Sequence, residues 1–349
     1  MNVFFALTLL ISYLAVLISP GVFAFPAFFG LAYPYLLLVN IIIVIIWIAL
    51  LRFEALLSVI VIAIGFNHFS NYIKLFRSSG DKANTFKVIS YNVRLFNFYE
   101  SNNGVYSAKR VIDFLKTQNA DIICLQEFFI LGDPALEQEK MIKGLGDTYY
   151  CHMKVSKVSK NRYYGIVTFS KYPIINKGEI VHYKSSSLSI YSDVLIKKDT
   201  FRVFNNHLQS FMLKRMNRSF IEELSSSENK ETVDEMMNLS RSLKKGFINR
   251  AQQAQLVKSY INKSPYHVIV AGDFNDTPVS YTYRKIRNGL NDSFITSGYG
   301  AGFTYRGNYP PNRIDYILYD NNLLNTYFEI KKVRYSDHYP IIAYFRKKD

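Results

Sequence analysis

The chain opens with three apolar stretches and then changes character. Residues 1–73 carry only two charged side chains, Arg52 and Glu54, whereas charges recur throughout 74–349. Residues 3–19 form an uncharged run without the Lys/Arg-rich start of a cleavable signal peptide. Pro20, Gly21, Pro26 and Gly30 interrupt it. Residues 31–51 form a second run, and about 20 residues are enough to cross a hydrocarbon layer of ~30 Å. A third, residues 55–73, ends in polar Asn67, His68, Ser70 and Asn71. The pattern predicts an N-terminal bundle of about three transmembrane helices within residues 1–77, meeting the lipid bilayer through residues 1–73. Asn40, inside the second run, reads as a helix-packing residue.

Residues 78–85 (SSGDKANT) read as a polar linker, and a catalytic domain is expected over 86–349. There, apolar β-rich runs alternate with helical patterns, which predicts an α/β domain. FKVISYN (86–92) and DIICLQE (121–127) read as strands, with a helix over 107–118 between them. Residues 148–154 and 165–170 read as a hairpin pair. A second hairpin joins 191–198 to 201–208 around Asp199 and Thr200. Strands are also expected over 266–274, 313–319 and 341–346. Residues 209–250 read as a helical insertion, with Lys214, Arg215, Arg218, Lys244, Lys245 and Arg250 around an acidic, Ser-rich middle. It is either a solvated helical pair or an arm beside His207 that grips substrate or skims the membrane.

Charge narrows the partners. The formal net charge is +15, and all of it lies in residues 74–349. Such an excess suits a polyanion, whether nucleic acid, a phospholipid surface or a phosphorylated metabolite, or else a solvated basic surface. With three spans, Lys74, Arg77, Lys82 and Lys87 fall on the side of the soluble domain and outnumber Arg52 opposite. The positive-inside rule then favours a cytoplasmic catalytic domain on an integral membrane protein, in a bacterium one of the inner membrane. Losing one span reverses that result. Cys124 and Cys151 define no disulfide framework, and Cys124 in its apolar run reads as a small buried hydrophobe.

The candidate chemistry lies at strand ends. GDFND (272–276), RIDYIL (313–318) and SDHYP (336–340) supply Asp273, Asp276, Asp315 and Asp337 with Asn275 and His338. Carboxylates this dense among apolar strands are costly to desolvate without a positive charge between them. A divalent cation held by oxygen ligands is the expected partner. SYNVR (90–94) and LQE (125–127) end two upstream strands and add Asn92 and Glu127. Asp276 reads as a turn or capping residue. Arg94 reads equally as a phosphate contact or a surface residue, whereas Arg313 and Arg250 lean towards structure.

Taken in order, SYNVR, LQE, NNHLQS, GDFND, RIDYIL and SDHYP resemble the endonuclease/exonuclease/phosphatase superfamily, the DNase I-like metallophosphoesterases. The resemblance spans about residues 86–346 and implies a four-layer α/β sandwich. It also implies that Asn92 and Glu127 bind the metal with Asp337, that Asp273 and Asn275 hold or activate water, and that His338, oriented by Asp315, meets phosphate or nucleophile. His207 becomes a second imidazole donating to phosphate. Abasic-site endonucleases of the superfamily usually have tyrosine at that position, so His207 points to the DNase I, sphingomyelinase and phosphatase branches. No clear equivalent of the glutamate that pairs with this histidine in secreted DNases is found. The expected cofactor is Mg²⁺, with Mn²⁺ as substitute. The expected activity is membrane-anchored, metal-dependent phosphoester hydrolysis, first as a phosphodiesterase or nuclease on nucleic acid. Phospholipid or sphingolipid head-group hydrolysis and an inactive membrane scaffold are the alternatives. Whether Asp273 or His338 is the base, and whether one or two metals act, stays open.

Overall fold

A computed structural model of the chain describes residues 2–76, 80–98, 104–146, 148–183, 185, 187–210, 230–307 and 310–348. They fall into two compact units. One is Met1–Phe66 with Gln209–Gln255 and Val279–Lys285; the other is Asn67–Leu208 with Leu256–Pro278 and Ile286–Asp349.

The first unit is helical. Helices α1 (Asn2–Leu14), α2 (Phe25–Ala49) and α3 (Ala55–Ile64) pack on one another. At 1.5 Å per residue, α2 with 25 residues spans about 37 Å, but the 13 of α1 and the 10 of α3 reach only about 20 and 15 Å. Among the described residues, one helix is therefore long and apolar enough to cross a bilayer, and the expected three-span bundle is not formed. The reason is local. α1 stops before Pro20 and Gly21, while Gly65 ends α3 and the polar residues after it form a separate short helix, α4 (Phe66–Ser70). The charge argument for a cytoplasmic domain was built on three spans and does not carry over to one.

Asn40 is fully buried, donating to the carbonyls of Phe5 at 3.0 Å and Leu36 at 2.9 Å and accepting from Ser58 Oγ at 3.1 Å. It ties α2 to α1 and α3, as its place in the apolar run predicts. Of the insertion, Lys214, Arg215, Arg218 and most of the Ser-rich middle lie outside the described residues. From Lys230 on, it belongs to one 33-residue helix, Lys230–Asn262. Its Phe247 packs edge-on against Phe28 of α2, with ring centres 5.2 Å apart. Arg250 is buried and donates to the carbonyl of Gln209 at 2.8 Å, a structural contact.

In the second unit the strands are β1 (Ile73–Lys74), β2 (Phe86–Asn92), β3 (Ile122–Leu131), β4 (Tyr150–Ser159), β5 (Arg162–Ser170), β6 (Ile174–Ile180) and β7 (Leu188–Ile196). They continue with β8 (Asp199–His207), β9 (His267–Asp273), β10 (Asn291–Asp292), β11 (Gly300–Ala301), β12 (Asp315–Tyr319), β13 (Leu323–Ile330) and β14 (Ile341–Lys347). The remaining helices are α5 (Gly104–Gln118), α6 (Pro134–Leu145), α7 (Lys230–Asn262), α8 (Tyr281–Arg287) and α9 (Ser293–Ser297). Two six-stranded sheets result, in the orders β13-β14-β2-β3-β5-β4 and β10-β12-β9-β8-β7-β6. Val88, Ile122 and Cys124 of the first interleave with Val203, Ile269 and Ala271 of the second in one buried apolar layer. Helices α5 and α6 cover the outer face of the first sheet. The second hairpin turns at Lys197 and Lys198, two residues earlier than expected, because Asp199 already pairs with Ile196 and Lys197 takes the left-handed conformation. Both cysteines are free and buried, Cys124 between the sheets.

Two parallel pairs set the site. β2 runs beside β3 with Asn92 opposite Gln126, and β8 beside β9 with His207 opposite Asp273. β12 runs antiparallel to β9, so its first residue, Asp315, also faces Asp273.

Arg313, two residues before Asp315, is a structural charge. It is 1% exposed, its Nη2 donating to Asp292 Oδ2 at 2.6 Å and its Nη1 to the carbonyl of Asn71 at 2.9 Å. The rings of Phe294 and Tyr316 flank it. Asp292→Ala strands that guanidinium and is expected to cost about 3–5 kcal/mol in urea unfolding.

Candidate active site

Seven of the eight predicted site residues form one hydrogen-bonded and ion-paired set. Asn92 Nδ2 donates to Asp273 Oδ2 at 2.9 Å and to Glu127 Oε1 at 3.2 Å. His207 Nε2 lies 3.4 Å from Glu127 Oε1 and 3.8 Å from Asp273 Oδ2. His338 Nε2 is 3.8 Å from the same Asp273 oxygen, and its Nδ1 is 2.9 Å from Asp315 Oδ2. Asn275 donates to Asp273 twice, from its backbone N–H at 2.8 Å and from Nδ2 at 3.2 Å. The eighth residue, Asp337, pairs with Arg94, whose Nε is 3.2 Å from Oδ2. Asp276 accepts from the backbone N–H of Thr277 at 3.1 Å and stands in the turn, as expected.

Unusual backbone aims these groups. Between Leu125 and Phe128 the β3–β5 ladder loses register, and Glu127 sits there with φ of 51°. Asn275 has the same value, and Arg94, Leu95, Phe96 and Asn97 follow one another with φ between 47° and 54°. Left-handed non-glycine residues cost roughly 1–2 kcal/mol each and persist where their surroundings overdetermine them. Buried amides supply part of that restraint. Gln126 Nε2 donates to Asn205 Oδ1 at 2.8 Å, and Asn205 Nδ2 to the carbonyl of Val167 at 3.0 Å.

Burial and charge act against each other here. Burial raises the Asp273 carboxyl, as does the charge of Asp315, and His338, His207 and Asn92 bring it back only to about 6. Burial would also raise Glu127, but the hydrogen bond and charge of His207, with His338 and Asn92, hold it at about 2. Burial lowers His338, yet Asp315, Asp273 and Asp337 outweigh it and lift the imidazole to about 10. His207 is raised despite its burial, through Glu127 and Asp273. Asp337 is raised by burial and by Glu127, against the pull of His338 and Arg94.

The donor set suits a hard cation. Glu127, Asp273, Asp315 and Asp337 bring four carboxylates against three basic groups, Arg94, His207 and His338, so negative charge is in surplus even with both imidazoles protonated. Asp273, Asp315 and His338 present potential ligand atoms within 4.8 Å of one another. In that trio, however, the imidazole stands between two carboxylates and supplies the positive charge itself, and a doubly protonated ring offers no lone pair. Glu127, Asp337 and the Asn92 amide form the all-oxygen alternative, the kind Mg²⁺ takes.

The sequence reading missed Tyr164. Its hydroxyl is hydrogen-bonded to His207 Nδ1, and the two rings meet edge-on at 6.0 Å. A tyrosine thus stands on one nitrogen of this imidazole and Glu127 near the other. Nothing in RYYGIV signals it, because the pair forms only where β5 of one sheet crosses β8 of the other. A depression of about 420 Å³ is lined by Lys198, Thr200, Tyr266 and His267 at the opposite ends of β8 and β9. Ligands of α/β folds gather at strand C-terminal ends, where His207 and Asp273 stand.

Comparison with known proteins places the chain by family and by fold. Residues 89–338 match the Endonuclease/Exonuclease/phosphatase family, and residues 1–72 match a domain of unknown function. Among solved structures, an endonuclease/exonuclease/phosphatase from Bacteroides vulgatus aligns with a TM-score of 0.55 at 19% identity, over 76% of this chain and 99% of its own. TDP2 from D. rerio, complexed with single strand DNA product, gives 0.53 at 17%, over 76% and 100%. A mannosyl-6-phosphatase from Bacteroides thetaiotaomicron gives 0.54 at 17%, over 75% and 99%. At these identities the likeness is one of fold. No curated protein matches the chain. With residues 89–338, more than half of its length, matched by one family, the chain belongs to the endonuclease/exonuclease/phosphatase family.

Proposed function

We propose that this chain is a divalent-metal-dependent phosphodiesterase, of which nucleic acid is the first candidate substrate, anchored to a membrane by α2. The observation that carries the reading is the shared Asn92 amide, which touches both Glu127 and Asp273 and so joins the proposed metal carboxylate to the proposed base.

A phosphodiester is anionic and repels hydroxide, so hydrolysis needs charge neutralisation and a deprotonated water in line with the leaving group. A bound Mg²⁺ or Mn²⁺ supplies Lewis-acid neutralisation of the phosphate, held by Glu127 and Asp337 with Asn92. Asp273 takes the proton from water, because its buried carboxylate is fixed by Asn92 and Asn275 and faces the site. His338 is flanked by carboxylates on both ring nitrogens, which favours the imidazolium, a donor to phosphate oxygen and not a base. His207, held by Tyr164, is the second donor. Mg²⁺ dependence is tested on the full-length chain in detergent with nucleic acids and a chromogenic diester. Activity is expected to vanish in EDTA and return with Mg²⁺ or Mn²⁺. Glu127→Gln is expected to lower it by on the order of 100-fold or more. Undiminished turnover in EDTA would sink the reading.

A second reading has its own support. Only 22% of the most apolar window of α2 is buried, which suits lipid contact better than the core of a soluble fold. Such an anchor would hold the site near phospholipid head groups. The structural neighbours include one complexed with a single strand DNA product and one named a mannosyl-6-phosphatase. Vesicles run beside nucleic acids in the same screen separate the two readings.

A further inference from the structure

Arg94 begins the only run of consecutive left-handed non-glycine residues among the described ones, with φ of 47°, 51°, 54° and 53° for Arg94, Leu95, Phe96 and Asn97. The run is pinned in its C-terminal half. Phe96 is buried with its ring 5.4 Å from that of Phe128, and Asn97 Nδ2 donates to the carbonyl of Tyr335 at 2.9 Å. Its effect is to bring one residue to two oxygens of the site. The backbone N–H of Arg94 donates to Asn92 Oδ1 at 2.9 Å, and its guanidinium meets Asp337 Oδ2 at 3.2 Å. Both oxygens belong to residues assigned above to the metal, and the inference rests on that assignment.

We propose that Arg94 is a built-in competitor of the divalent cation, sharing Asp337 with it and turning to the substrate phosphate when the cation holds that carboxylate. Two positive centres at one carboxylate repel each other strongly in a partly buried setting. The Arg94 side chain is 32% exposed, so its long stem has room to move while the backbone stays pinned. A guanidinium released there is suited to phosphate, which it binds through paired N–H groups.

The proposal predicts opposite signs for two affinities. Without the guanidinium, metal binding tightens and substrate binding loosens, whereas a merely structural role would weaken both. The test uses the full chain in detergent, with Mn²⁺ binding measured by calorimetry without substrate and KM measured for a chromogenic phosphodiester. Arg94→Gln is expected to bind Mn²⁺ about tenfold more tightly and to raise KM about tenfold, with Arg94→Lys in between. In an Asp337→Asn background, Arg94→Gln should leave Mn²⁺ affinity unchanged, which keeps the test open should one single variant fold poorly. Equal or weaker Mn²⁺ binding by Arg94→Gln, with binding still lost in Glu127→Gln, overturns the competitor and spares the function. Mn²⁺ uptake that ignores Glu127→Gln, or no uptake by the parent chain, overturns both.

Discussion

Asp273→Asn is expected to lower kcat by about 10²–10⁴-fold at saturating metal, with the far-UV circular dichroism unchanged. The carboxylate is 1% exposed, receives Asn92 and Asn275, and lies 3.8 Å from the Nε2 atoms of both histidines. Asparagine keeps the shape and an acceptor for the Asn275 N–H but cannot take a proton from water. Raising the metal concentration distinguishes this from a ligand defect, because a weakened metal site can be refilled and a missing base cannot. Steady-state hydrolysis of a chromogenic diester across a Mn²⁺ series reads the difference. Activity within tenfold of the parent at saturating Mn²⁺ would remove Asp273 from the role of base.

Gly272→Ala should be the most damaging single methyl group at the site, costing about 3–5 kcal/mol in urea unfolding. Gly272 has φ of +139°, a conformation side chains avoid, and an added Cβ would lie 2.0 Å from the backbone carbonyl oxygen of Asn206. That atom belongs to β8, directly opposite in the parallel register, so relief requires β8 and β9 to part. His207 and Asp273 close those same two strands, and activity should fall together with stability. A variant of parental midpoint and turnover would show that the strands tolerate the shift.

The central strands were legible because their apolar runs are short and bounded. FKVISYN is β2 residue for residue, and the runs at 266–274 and 341–346 agree with β9 and β14 to within one residue at either end. The site was legible too, since carboxylates and amides at the ends of apolar strands have few uses other than chemistry. Asp337 was legible as an acid but not as the partner of Arg94. That pairing depends on a left-handed turn, and RLFN contains no glycine to announce one. The pairing of Tyr164 with His207 depends on how two sheets cross, 43 residues apart in sequence. Helix α6 was passed over although Asp133 caps it and Pro134 opens it, because its apolar face is narrow. At the N-terminus, apolarity was mistaken for length. Residues 3–19 and 55–73 are apolar enough for a span, but turns divide them into helices too short to cross.

Asn92 and Glu127 stand on one sheet, whereas His207, Asp273 and Asp315 stand on the other, and beneath the hydrogen bonds that join them the apolar layer of Val88, Cys124, Val203 and Ala271 sets the distance between the sheets. The reacting groups therefore work like the two jaws of a caliper whose screw lies deep in hydrocarbon. Swelling or slackening that screw by a single methylene resets the jaw opening without touching any polar atom. Folded but silent variants of this protein should thus arise in its greasy middle as readily as at the rim of the candidate site.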